Sequence, residues 1–74
     1  MSDQVEAGSL GARLRASRRA KGMTQAQLAG SDYSVAYVSR IESGERTPSP
    51  EALQAFAKRL GLSPDSLLSP VDDA

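Results

Sequence analysis

Any chemistry in this 74-residue sequence must come from arginines, hydroxyls and amides. Histidine is absent, and with it the commonest general base and metal ligand. Cysteine is absent too, which excludes disulfides and thiolate metal sites. Nine carboxylates remain, and none sits in a paired spacing suited to acid–base catalysis. The expectation is therefore no enzyme, no cofactor and no small-molecule ligand. Binding chemistry is better represented. Arg40, inside SVAYVSRIESG (34–44), offers a planar fork of donors that fits a guanine edge. On a helix, Val38 and Ile41 would point to a core. Val35, Ala36, Ser39 and Arg40 fall on another face, with no packing job.

The surrounding charge is uneven. The formal net charge is zero. Segment 9–59 nevertheless holds all nine basic residues and only four acids, Asp32, Glu42, Glu45 and Glu51, a balance of +5. The remaining acids lie in the flanks. The run RLRASRRAK (13–21) contains five bases and no acid. Such a run is either a solvated helix face or a surface for a polyanion.

Helices must position these groups, because no alternating strand pattern appears. The expected fold is all-α, a compact bundle of five short helices. Residues 1–8 read as a flexible arm, 9–69 as the domain, and 70–74 as a flexible tail or linker stub. Ser9 can cap a first helix that stops at Gly22, with Leu10 and Leu14 one turn apart and Ala16 and Ala20 repeating the spacing. Thr24 and Gln27 form a capping box over TQAQLA. GSDYS breaks the chain, and Ser34 is the next N-cap, for a helix that closes at Gly44. Ser49, Pro50 and Glu51 open a fourth helix that ends at Gly61. Ser63, Pro64 and Asp65 repeat the device. The expected core is Leu10, Leu14, Leu28, Ala29, Val38, Ile41, Leu53, Phe56, Ala57, Leu60 and Leu67.

A short helix over 24–29, a tight turn and a second helix over 34–43 make a helix-turn-helix layout. A plain helical hairpin would use the same spacing. The composition of the second helix favours the first reading. Its outer face carries small side chains, a hydroxyl and an arginine, with no glutamate before Glu42, and so could enter a major groove. Helix N-termini and their hydroxyls suit phosphates.

TQAQLA…SVAYVSRIESGERTPSPEALQAFAKRLGLSPDSLL resembles the xenobiotic-response-element-type helix-turn-helix family, which includes lambda-type repressors and Cro proteins. The resemblance spans residues 10–68. It implies a sequence-specific regulator of transcription that binds double-stranded DNA. By this resemblance Val35, Ala36, Ser39 and Arg40 read bases. Thr24, Gln25, Ser34, Tyr37, Arg46 and Thr47 meet phosphates and sugars. Arg18 and Glu42 match a structural ion pair. Blander roles exist for several of these residues. Gln25 can simply start a helix, Thr24 can simply cap one, Arg40 can pair with Glu45, and Tyr37 can pack at the core edge. Arg13, Arg15 and Arg19 can supply steering charge alone.

Two departures from the family pattern stand out. GSDYS is one residue shorter than the usual turn, with Asp32 and Tyr33 near the expected glycine, so Asp32 is expected to tolerate left-handed backbone. Val35 and Ala36 are apolar, which points to thymine methyl contact and shape readout. A single module buries little surface, so a homodimer is expected, joined around Leu62, Leu67, Leu68 and Val71. The rival readings are a protein-interaction module of antitoxin or adaptor type, and the N-terminal part of a longer effector-responsive regulator. No apolar run approaches the roughly 20 residues that cross a bilayer, so the expected location is the cytoplasm.

Overall fold

A computed structural model describes residues 9–68. These form five helices and, among the described residues, no strand: α1 (Leu10–Ala20), α2 (Gln25–Ala29), α3 (Val35–Glu42), α4 (Pro50–Leu60) and α5 (Pro64–Leu68). The arm over 1–8, the tail over 70–74 and, with it, Val71 lie outside the described residues.

The helix starts follow from local chemistry. Ser9, Thr24, Ser34 and Ser49 each hold extended backbone, and each hydroxyl accepts a bond from a backbone N–H three residues on. Such a cap contributes about 0.5–2 kcal/mol. At Thr24 the box is complete, because Gln27 Oε1 accepts from the Thr24 N–H at 2.8 Å. At α5 the bonds differ: the Ser63 hydroxyl lies 3.1 Å from that of Ser66, and the Ser66 N–H donates to the Ser63 carbonyl.

The core gathers Leu14, Leu28, Ala29, Val38, Ile41, Leu53, Phe56, Ala57, Leu60 and Leu67, joined by Ala52. Leu10 packs only at the edge of this core, as do Met23, Tyr33 and Tyr37. Ala16 and Ala20 are exposed. At 3.6 residues per turn, Ala16 stands about 200° round from buried Leu14, so their spacing repeats on the wrong side. Helix α3 packs on both α1 and α2, and α5 packs on α4 and α1.

Two non-local contacts set the frame. A Cβ added at Gly11 would overlap the Ile41 carbonyl oxygen and lie 3.0 Å from that of Glu42. Glycine thus lets the α1 backbone ride against the end of α3. Arg13 donates from Nε to the Leu67 carbonyl at 2.7 Å and from Nη2 to that of Leu68 at 3.1 Å. Its expected role as steering charge alone is therefore corrected: it ties α1 to the carbonyl end of α5. Leu67 is likewise removed from the expected dimer surface, because it is 1% exposed and closes the core.

Candidate nucleic-acid interface

Helix α3 divides cleanly. Val38 and Ile41 are 0% and 1% exposed, while Val35 is 46% exposed. Ala36, Ser39 and Arg40 are exposed as well. The Arg40 guanidinium has no hydrogen-bond or ion-pair partner among the described residues, so the alternative pairing with Glu45 is not formed. Instead the Arg40 carbonyl accepts from the Glu45 and Arg46 N–H groups at 2.8 and 3.2 Å, which folds the loop after α3.

Beneath this face lies a polar joint. Arg18 donates to both Glu42 oxygens, from Nε at 2.6 Å and from Nη2 at 3.0 Å, and from Nη1 to the Met23 carbonyl at 2.8 Å. The two side chains are 11% and 4% exposed. The bond to Glu42 raises the Arg18 pKa above its ordinary range, against an opposing effect of burial. Gln25, at the first turn of α2, donates from Nε2 to Glu42 Oε1 at 3.1 Å. One carboxylate therefore anchors α1, α2 and α3 together.

The turn between α2 and α3 is also held from outside. Gly30 takes φ of 64°, and no described non-glycine residue has positive φ. The left-handed position in the turn is thus taken by Gly30, and the tolerance expected of Asp32 is not used. A Cβ at Gly30 would stand 2.8 Å from the Arg59 guanidinium carbon. Arg59, on α4, donates from Nη1 to the Leu28 and Ala29 carbonyls at 2.9 and 3.1 Å and from Nη2 to Asp32 at 3.0 Å. It satisfies the carbonyl end of α2 and clasps the turn that follows. No local signal in the sequence marks Arg59 for this role.

Tyr37 is half-buried. It stacks on Tyr33 with ring centres 5.5 Å apart, and Phe56 meets Tyr33 edge-on at 5.2 Å. The Tyr37 oxygen accepts from the Ser49 N–H at 3.1 Å. Arg46 lies over the Tyr37 ring at 5.7 Å, in cation–π range. Thr24, Ser34 and Thr47 are exposed.

A short helix, a glycine-bent turn and a second helix with one sealed and one open face form a helix-turn-helix unit. A family model described as "Helix-turn-helix domain" matches residues 9–69. The chain belongs to that helix-turn-helix family, in its Cro/C1-like branch. This helix-turn-helix protein is 42% identical over 67 residues to the uncharacterized HTH-type transcriptional regulator y4dJ of Sinorhizobium fredii, covering 89% of this chain and 83% of that one. Its fold matches the restriction-modification controller protein C.AhdI from Aeromonas hydrophila at TM-score 0.74 and 37% identity, over 78% of this chain and 89% of that one. It also matches ComR from S. thermophilus, solved in complex with DNA and its signalling peptide ComS. That match has TM-score 0.81 and 35% identity, and covers 89% of this chain and 23% of ComR. The helix-turn-helix protein is a regulator of the transcriptional class, and no helix among its described residues is long and apolar enough to cross a membrane.

Proposed function

We propose that this helix-turn-helix regulator binds double-stranded DNA sequence-specifically, with α3 in the major groove, as a homodimer on a pseudo-palindromic operator. The observation that carries the reading is the bareness of the outer face of α3, where Val35 is 46% exposed and the Arg40 guanidinium is unpartnered among the described residues. The likeness to ComR, a protein solved in complex with DNA, supports DNA as the partner.

In this reading Arg40 forks onto a guanine, Ser39 bonds a base edge, and Val35 and Ala36 touch thymine methyl groups. Thr24, Gln25, Ser34, Tyr37, Arg46 and Thr47 hold the backbone. Their bonding favours that role. The hydroxyls of Thr24 and Ser34 accept from backbone N–H groups, and so does the Tyr37 phenol. Each therefore keeps its own O–H as a donor. Gln25 gives one amide hydrogen to Glu42 and keeps the other. A phosphodiester offers only acceptors, so these leftover donors match it.

One such module buries about 600–1,000 Å² on DNA, which favours two copies with half-sites about 34 Å apart. Leu62 and Leu68, at 36% and 53% exposed, supply apolar area for the pairing. Selection from random duplexes, with sequencing of the bound pool, tests the whole reading. The expected product is a two-fold-symmetric site, bound by a species that sediments as a dimer at micromolar concentration. An unenriched pool would overturn specific binding, and a strict monomer on the selected site would overturn the dimer.

A further inference from the structure

Resting on the DNA-binding reading, we infer that Arg15 and Arg19 of α1 form an additional phosphate-binding groove beside the recognition helix, walled by the end of α3. A depression of about 310 Å³ is lined by Arg15, Arg18, Arg19, Gln25, Ser39, Glu42 and Ser43. A second hollow, of about 640 Å³, continues it along α1 past Ala12 and Ala16, and shares Arg15, Arg19, Glu42 and Ser43.

The charge in this groove is not balanced. Three arginines face one carboxylate, and both Glu42 oxygens are already taken, by Arg18 and Gln25. Arg15 and Arg19 are exposed and have no hydrogen-bond or ion-pair partner among the described residues. Their i,i+4 spacing places like charges side by side, which weakens α1 unless an anion lies between them. Ala12 and Ala16, on the same stretch of α1, are too small to fill the hollow. Opposite stand Ser39 and Ser43, one turn apart and both exposed. The Ser43 hydroxyl donates to the Arg40 carbonyl at 3.0 Å, so it has no donor left for an anion and serves only as a wall of the groove. Ser39 contributes a free hydroxyl. Paired guanidinium groups facing a hydroxyl suit a phosphate oxygen cluster. The groove adjoins Ser39, so a duplex seated on α3 would lay one strand's backbone along it.

The chemistry is that of a phosphate anion, either in a duplex backbone or free in solution, and two measurements separate these sources. The first is the salt dependence of binding to the selected duplex. Every phosphate that a variant no longer neutralises should reduce the slope of log affinity against log salt by about 0.9. R15Q/R19Q is expected to reduce it by about twice that, and to leave the ratio of cognate to unrelated affinity unchanged. K58Q removes one exposed charge on α4, outside the lining of the groove, and is expected to leave the slope as it is. A slope for R15Q/R19Q equal to that of the wild type would overturn the groove as a backbone contact. The second measurement is titration with inorganic phosphate at low salt, followed by the NMR signals of the arginine Nε–H groups. Saturable shifts confined to Arg15, Arg19 and their neighbours support the groove, even if the wild type binds no duplex and the DNA reading falls. Equal, unsaturable shifts at every exposed arginine, together with an unchanged slope, remove the groove and leave the DNA reading intact.

Discussion

Within the eight residues of α3, two sets of side chains have opposite surroundings. Val38, Ile41 and Glu42 are committed: two are sealed in the core, and the third binds Arg18 and Gln25. Val35, Ala36, Ser39 and Arg40 are exposed. The inner set fixes where the helix lies. The outer set can then vary without cost to the fold. In the proposed reading, specificity is written on a surface that stability does not constrain, carried by a joint that stability constrains severely.

Substitutions can break or sharpen that contrast. The largest loss is expected from Arg18→Ala, about 3–5 kcal/mol in urea unfolding, because the Glu42 carboxylate would be left buried without its partner. Replacing both partners with apolar residues should cost less than the single change, and a double-mutant cycle would register the difference. Because Arg18 holds its proton more tightly when folded, the contribution of its own ionisation is complete below the ordinary arginine range. It is lost only as pH rises above that range, so stability around neutral pH should not track this residue.

Next comes Gly11→Ala, at about 1–3 kcal/mol, since a methyl group would press on the Ile41 carbonyl and push α1 off α3. A thermal melt would register it, and an unchanged midpoint would mean that the two backbones can part freely. Arg59→Ala should cost about 1–2 kcal/mol, through the Leu28 and Ala29 carbonyls it leaves unmet. Asp32→Ala, which removes only the solvent-facing partner, should stay within about 1 kcal/mol. The smallest effect on stability belongs to Arg40→Ala, within about 0.5 kcal/mol. The same change should weaken binding to the selected duplex by about 1–3 kcal/mol and relax base choice nearby. A large loss of stability there would show that the outer face is not idle.

Helix starts and ends were legible because their signals are local. Ser9, Thr24, Ser34 and Ser49 cap within three residues of themselves, so both partners stand side by side in the sequence. The buried stripe of α4 was legible for the same reason. The devices that join helices were not. Arg13 meets carbonyls 54 and 55 residues away, and Arg59 meets carbonyls 31 and 30 away. Nothing about an arginine on a polar stretch tells which carbonyl it will find. Gly11 carried no signal either, because a glycine inside a helix reads as a weakness until the neighbouring backbone is in place. Among the expected site residues, α3 and its outer face followed from periodicity. That Gln25 is shared with Glu42, and that Tyr37 is shared with the Ser49 N–H, needed three dimensions.

The stacked tyrosines bear on how this molecule can be watched. The sequence contains no tryptophan, two tyrosines and one phenylalanine, and all three aromatic rings meet around the α2–α3 bend. Tyrosine emission is thus undiluted, and both emitters sit at the elbow that aims α3. A ligand that turned α3 relative to the bend would shift Tyr37 against Tyr33. Tyrosine emission is therefore expected to register such a turn without a label.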